Sequence, residues 1–494
     1  MSEPTLPTLE DRELLRDSLR GFLQQHWPAE TAVEHGAVAA EIQRIQAGLA
    51  GQGLTTLGTD PAEGGLQEIV VVQQELGRAA CPAPFLAAAL ANLLLWPLRH
   101  RHSEAARLLE SLHCGDACLA IAFGSMDGDR TAGTVTASDG RVSGEARYLE
   151  AAAAATHLLV VIEESRIALI PVGAGVEVLP TRAIGAGGLA SVRFQQAQAA
   201  LLDVDAAALK DLLRLARLGA HARAHGAAAR AFELVVEYAK IRKQFGQLIG
   251  RFQAIQHKLT NNHIALEAIR LMLADTAARY DKRSSGWCFL ADAEAAFSNS
   301  ALRQVSLETQ HAFGAIGYAE EHEAPRHFKQ VHQDVLRFGG ARSAREALAR
   351  HLLDDGLAIP EYDLGPEGNA FRKEVGQWLD QHWTPERQAA MRARPNAHRE
   401  FDPEFARELG ATGWIGLNWP KQFGGQDRSP VEYVAFIEQM ERAEAPRAGA
   451  PIQSVAWMMF GSEEQQQRYL PEILRGEVIY GMWYSEPDSG SDLA

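Results

Sequence analysis

The sequence predicts a mainly helical protein with one inserted β domain, followed by a second helical domain. Three observations predict it. A set of motifs occurs twice. Phe22-Leu23-Gln24-Gln25-His26-Trp27-Pro28-Ala29-Glu30 answers to Trp378-Leu379-Asp380-Gln381-His382-Trp383-Thr384-Pro385-Glu386. Asp60-Pro61-Ala62-Glu63-Gly64-Gly65 answers to Pro420-Lys421-Gln422-Phe423-Gly424-Gly425, and Glu75-Leu76-Gly77-Arg78-Ala79 to Gln439-Met440-Glu441-Arg442-Ala443. A separation of roughly 360 residues duplicates a set of domains, because solenoid units repeat every roughly 20–50 residues. The texture then changes near Cys118 to short apolar runs divided by turn residues. Finally, Pro180 and Pro325 bracket a proline-free stretch rich in Ala, Leu, Glu, Arg and Gln, which are good helix formers.

Each element follows in order. Residues 1–117 form a first helical domain: Leu14, Leu15, Leu19, Phe22 and Leu23 recur at helical spacing. Gly64-Gly65 breaks the pattern, and helices resume from about Ile69. The longest apolar stretch, Phe85 to Trp96, includes Asn92; it is short of the about 20 residues that span a bilayer and predicts a buried helix. Residues 118–205 form a β domain, with strands at Thr134–Ala137, Leu158–Ile162 and Ile167–Val172, punctuated by Asp139-Gly140 and Gly173-Ala174-Gly175. Residues 206–353 form a helical bundle whose apolar face includes Leu212, Leu215, Leu218 and Ala222. A linker at 354–368 carries Pro360 and Gly365. A second helical domain at 369–476 follows, and 477–494 begins a second β domain. The second copy stops at Ala494 inside a motif, so the chain is expected to be a fragment of a longer fusion.

The net charge of −15 argues against a nucleic-acid or anionic-membrane surface, both of which need clustered Lys and Arg. It leaves room for a local basic pocket. Met1 to Leu15 has neither a basic start nor an apolar run, so no signal peptide is expected. The four cysteines, Cys81, Cys114, Cys118 and Cys288, fit a reducing cytosol, and the expected location is cytoplasmic. Cys114 and Cys118 have the spacing of one helix face, but no paired His or Cys motif completes a metal site.

Three stretches carry chemistry. The first is Arg242-Lys243-Gln244-Phe245-Gly246, followed by Gly250-Arg251-Phe252-Gln253-Ala254-Ile255-Gln256. A planar guanidinium can grip a pyrophosphate at two points, Phe245 offers a flat ring, and Gln253 offers a donor and an acceptor. The second is Tyr484-Ser485-Glu486-Pro487-Asp488-Ser489-Gly490-Ser491-Asp492, where small residues let the backbone approach a flat ligand and Gly490 adopts angles barred to others. The third is Gln310-His311-Ala312-Phe313-Gly314-Ala315-Ile316-Gly317-Tyr318.

These motifs, in the order helical domain, β domain, helical bundle, resemble the acyl-CoA dehydrogenases, as one complete copy and then a partial one. The resemblance implies a β-barrel-like middle domain, a four-helix bundle and FAD as cofactor. It implies that Arg242, Phe245 and Gln253 hold the FAD of a neighbouring subunit. The loop with His311 and Gly314 would meet the adenine end, His311 standing where the family usually has Gln. Tyr484 and Ser485 would sit beside the flavin and Ser491 near the acyl-CoA. The implied reaction is α,β-dehydrogenation of an acyl-CoA thioester, with electrons passed to an electron-transferring flavoprotein, in a homo-oligomer. Fused and heteromeric members often take bulky acyl groups such as steroid side chains.

The first copy departs from the family at its own reaction site. It lacks the Ser-Glu-Pro-x-x-Gly-Ser-Asp loop and has Ala122-Phe123-Gly124-Ser125-Met126-Asp127-Gly128-Asp129 in its place. The family's chemistry needs a carboxylate to remove the α-proton. At one family position for that Glu the chain has Phe338, within Leu336-Arg337-Phe338-Gly339-Gly340; at the other it has Ala216 and Arg217. Glu233 and Glu237, beside Arg230 and Lys240, have the one-turn spacing of a solvated charged face. No catalytic residue is therefore assigned to the first copy, which is expected to support a FAD site built with the second. The alternatives are a flavin-free scaffold for a partner dehydrogenase and a flavin oxidase or monooxygenase of the same fold.

Overall fold

The computed structural model describes residues 6–28, 38–124, 133–181, 184, 188–284, 286–395, 399, 401–446, 448 and 451–481. It divides into two compact units, Met1–Pro360 and Glu361–Ala494.

The first unit opens with helices α1 (Leu9–His26), α2 (Ala39–Gly51), α3 (Leu66–Arg78), α4 (Phe85–Leu95) and α5 (Ser103–His113). Thr8 caps α1 in a reciprocal box with Asp11. The α4 segment is nearly all apolar because it is buried nearly all round. Cys114 follows the end of α5 and Cys118 precedes the first strand, so the two do not share a helix.

Eight strands follow: β1 (Leu119–Ala122), β2 (Val135–Ser138), β3 (Arg141–Glu150), β4 (His157–Glu163), β5 (Arg166–Pro171), β6 (Val176–Thr181), β7 (Leu189–Gln198) and β8 (Ala200–Asp203). They make two four-stranded sheets, ordered β1-β4-β5-β8 and β2-β3-β7-β6. Among the described residues, only β1 and β4 pair in parallel. Leu158 and Val160 face the second sheet, sharing a core with Val142, Leu149, Val192 and Phe194. Leu159 and Val161 face the helices, joining residues such as Leu90 and Leu94 of α4 and Leu209 and Leu212. Burial on both faces explains why this strand is a continuous apolar run.

The bundle consists of α6 (Ala206–Ile241), α7 (Gln253–Asp281), α8 (Trp287–Phe313), α9 (Ala324–Asp334) and α10 (Gly340–Ala349). Helices α3 and α6 cross backbone to backbone. A Cβ on Gly77 would lie 1.9 Å from the Arg223 carbonyl oxygen, and one on Gly226 would lie 1.8 Å from that of Gln74. At the start of α3, the Asp281 carboxylate accepts the Leu66 N–H at 2.7 Å and the Gln67 N–H at 3.0 Å. A Cβ on Gly65 would meet that carboxylate at 2.4 Å, which accounts for the glycine at this turn.

The second unit contains α11 (Gly365–His382), α12 (Pro385–Arg392), α13 (Pro403–Thr412), α14 (Pro430–Arg442), α15 (Pro451–Phe460) and α16 (Glu463–Leu474). Its core joins Phe371, Val375, Leu379, Trp383, Phe405, Trp414 and Phe436. The duplicated motifs sit on corresponding elements: His-Trp closes α1 and α11, and the Arg-Ala pairs close α3 and α14. One detail differs. The Trp383 indole N–H donates to the Ala443 carbonyl at 3.0 Å, whereas the buried Trp27 Nε1 has no partner among the described residues.

Candidate functional site

Two places in the first unit gather the residues singled out in the sequence. The first is an exposed end of the bundle. Helix α6 stops at Arg242, whose backbone turns extended at ψ 126° while its N–H still bonds the Tyr238 carbonyl. Strands β9 (Lys243–Gln244) and β10 (Gln247–Leu248) then form a hairpin in which Gln244 pairs with Gln247. Its two turn residues, Phe245 and Gly246, have φ of +52° and +80°. Positive φ at both positions defines the tight turn that matches strand twist. Gly adopts it freely; Phe does so at a cost. Phe245 is 92% exposed, and its ring lies edge-on to Phe252 at 6.1 Å. The Arg242 side chain is exposed and makes no ion pair among the described residues. Gln253 is the exposed first residue of α7.

The loop after α8 reaches the same end. Phe313 packs on Tyr238, one turn before Arg242, at 5.5 Å between ring centroids, within a cluster that includes Val235, Leu259 and Ala324. His311 is exposed, with Nδ1 3.3 Å from the Lys258 ammonium, and Lys258 pairs with Glu308 at 2.5 Å. Gly314 closes α8 at φ +63°, ψ −137°, a conformation essentially reserved for glycine. Gln310 donates to the Gly317 carbonyl and closes the loop. Arg242, Phe245, Gln253, His311 and Gly314 thus occupy one end of the bundle. Lys258 had no motif of its own; its spacing after Gln253 on the same helix was the only signal. Tyr484, Ser485 and Ser491 lie outside the described residues.

The second place is a cleft of about 470 Å³ between the β domain and the bundle. Phe123 and Phe338, far apart in sequence, both line it, and their rings meet edge to face at 5.4 Å and 82°. Arg337 lies over the Phe338 ring at 4.6 Å. Behind them is a buried charge network. Arg223 grips Asp334 through Nε at 3.0 Å and a terminal nitrogen at 2.6 Å, and reaches Glu150 at 2.7 Å. Arg337 also pairs with Glu150, at 2.5 Å. Burial alone would raise the Glu150 carboxyl; Arg223 and Arg337 overcome that and hold it down at about 2. No carboxylate lines this cleft among the described residues. At the alternative base position, Ala216 is buried and Arg217 is tied to Asp292 at 2.5 Å. Glu233 and Glu237 pair with Arg78 and Lys240 at the surface.

Comparison with known proteins fixes the class. Residues 206–353 match the acyl-CoA dehydrogenase C-terminal domain and residues 365–477 the acyl-CoA dehydrogenase N-terminal domain. Together the two matches cover just over half of the chain, which belongs to the acyl-CoA dehydrogenase family. FAD is the cofactor of that family. The chain is 25% identical to Acyl-CoA dehydrogenase FadE34 of Mycobacterium tuberculosis over 98% of its own length and 66% of that protein's, so it spans just under two thirds of that relative. It is 28% identical to Acyl-CoA dehydrogenase IpdE2 of Mycobacterium tuberculosis, over 69% of this chain and 96% of the relative. Among solved structures, the Tcur3481-Tcur3483 steroid ACAD superposes with a TM-score of 0.62 at 25% identity, covering 70% of this chain and 98% of that one.

Proposed function

We propose that the protein serves FAD-dependent α,β-dehydrogenation of an acyl-CoA thioester, and that its first unit supports a flavin held by a neighbouring copy of the dehydrogenase domains while doing no chemistry in its own cleft. The observation that carries this reading is the contrast between the two places. The bundle end presents Arg242, Phe245 and Gln253 to solvent, and Phe245 holds an unfavourable backbone angle there. The cleft is walled by Phe123 against Phe338 and is lined by no carboxylate among the described residues.

On this reading Arg242 holds the flavin's pyrophosphate, Phe245 packs against it, and Gln253 hydrogen-bonds it. His311, beside Lys258, and the Gly314 turn receive the adenine end. Bound FAD supplies the acceptor for the hydride leaving the β-carbon of the thioester. Tyr484 and Ser485 belong beside the flavin ring of the second copy, and Ser491 beside the acyl-CoA. Phe338 cannot take a proton, so the first unit removes none. The electron-transferring flavoprotein is the proposed electron acceptor, the assembly a homo-oligomer, and the location cytoplasmic. The 25% identity to the Tcur3481-Tcur3483 steroid ACAD supports a bulky acyl group such as a steroid side chain. The order of the two matched domains, C-terminal type before N-terminal type, supports a tandem of two copies.

The test is turnover. Residues 1–494, supplied with FAD, a dye acceptor and straight-chain and steroid side-chain acyl-CoA thioesters, should reduce no dye. Losing a positioned general base costs on the order of 10²–10⁴ in rate. Robust turnover by this chain alone would overturn the reading.

A further inference from the structure

Where the ends of α1 and α3 meet α6 and the start of α9, the first unit holds a further cavity, of about 290 Å³. It lies away from the exposed bundle end: Arg230 is on its wall, and Arg242 is roughly 18 Å further along α6 at about 1.5 Å per residue. The chain carries a net charge of −15. Even so, Arg20, Arg78, Arg230 and Arg326 all line this one cavity, against the carboxylates of Glu75 and Glu323. Leu23, Trp27 and Pro28 give it an apolar wall.

The hydrogen bonds decide what kind of ligand fits. Both carboxylates are already occupied. Glu75 accepts from Arg16 at 3.3 Å and from two nitrogens of Arg20 at 2.9 Å each. Glu323 accepts from two nitrogens of Arg230 at 2.9 and 3.1 Å and lies 3.1 Å from His327 Nε2. Burial alone would raise the Glu323 carboxyl; His327 and Arg230 overcome that and hold it well below the usual carboxylate range. What remains around the cavity is donors. A guanidinium has N–H groups and no acceptor, and the fork on Glu75 leaves one terminal nitrogen of Arg20 outside it. The Trp27 indole, which can only donate, is buried and has no partner among the described residues. The second copy supplies the contrast. There Trp383 donates to Ala443, whereas Ala79, the counterpart of Ala443, lines the cavity. Gly376 and Gln439 stand where the first copy has Arg20 and Glu75. We infer that this cavity binds a small organic oxyanion, an apolar body carrying one carboxylate or phosphate group that accepts from the guanidiniums and the Trp27 indole. The inference does not depend on the flavin reading above.

The intact 494-residue chain is titrated by calorimetry with benzoate, phenyl phosphate, inorganic phosphate and neutral benzamide. At least one of the two aromatic anions should saturate one site per chain, and the tighter of them identifies the head group. Inorganic phosphate lacks the apolar body and benzamide lacks the charge, so each should bind about tenfold more weakly or worse. Arg20→Gln leaves Glu75 paired with Arg16. It should fold normally by circular dichroism and weaken the aromatic anion about ten- to hundredfold, as expected for a charge-assisted hydrogen bond. Trp27→Phe keeps a ring and deletes the N–H; it should weaken binding about two- to tenfold. Arg101→Gln, at an exposed arginine outside the cavity lining, should leave affinity unchanged. No saturation by either aromatic anion, benzamide or inorganic phosphate binding as tightly, or unchanged affinity in Arg20→Gln or Trp27→Phe would overturn the inference and leave the proposed function standing. Release of flavin from the intact gene product as benzoate binds would make the cavity part of the flavin site and overturn the inference as well.

Discussion

Asp281 gives the structure a pH dependence that can be measured. It lies at the end of α7, where its carboxylate accepts the N–H groups of Leu66 and Gln67 and the Gln67 side-chain amide at 3.3 Å. Burial pushes the carboxyl up from the ordinary 3.8 to about 6, against the pull of those N–H donors. A raised folded pKa means that the folded chain holds the proton more tightly than the unfolded chain. The stabilising contribution is therefore full below about pH 4 and is lost as pH rises through about 6. The full span is about 3 kcal/mol, and the part between pH 5 and 7.5 is about 1.4 kcal/mol. Asp281→Asn removes the titration and sets an amide N–H₂ against a backbone donor. Urea unfolding of both proteins at pH 5 and pH 7.5 gives the difference in stability at each. That difference should favour the parent at both and shrink by about 1–1.5 kcal/mol at the higher pH. A difference that stays flat, or that grows with pH, would refute the assignment.

Other substitutions probe the packing and the exposed end. Gly226→Ala places a Cβ against the Gln74 carbonyl of α3; the two helix backbones must shift apart, and the loss should be about 3 kcal/mol, seen as a lowered melting temperature or as insoluble protein. Arg223→Ala leaves Asp334 and Glu150 in a buried network with too little positive charge, and denaturant melts should register a loss of about 3–5 kcal/mol. Phe245→Gly relieves the +52° backbone angle of a ring that is almost fully exposed. It should stabilise the chain by about 1 kcal/mol while lowering flavin retention during gel filtration of the intact gene product.

The mainly helical fold with its β insertion was legible because its signals are local. The Leu158–Ile162 run announced a strand, which the structure buries on both faces, and the proline-free stretch announced a helical bundle. The grouping of the candidate residues at one bundle end was legible in part. Arg242 through Gln253 are neighbours in the chain, so one motif delivers the hairpin and the helix start together. What stayed hidden depends on contacts between distant segments. Asp281 reaches Leu66 across 215 positions, and no periodicity foretells it. Phe123 and Phe338 each stood out as departures from a family pattern, but that they would touch and wall one cleft follows only from the meeting of β1 with the segment after α9. The engagement of His311 by Lys258 likewise needs α7 and α8 side by side. Trp27 and Trp383 share a motif and yet differ in their indole partners: Trp383 donates to the Ala443 carbonyl, and Trp27 Nε1 has no partner among the described residues.

The central claim is that the first unit gives its bundle end, and not its cleft, to a flavin. The most direct measurement is flavin retention in the intact gene product, read by absorbance after dilution and filtration, for Arg242→Ala and Phe338→Ala side by side. Removing a charge-assisted hydrogen bond costs roughly 1.5–3 kcal/mol, so Arg242→Ala should weaken retention about ten- to hundredfold, and Phe338→Ala should leave it unchanged. Full retention in Arg242→Ala together with flavin loss in Phe338→Ala would contradict the account.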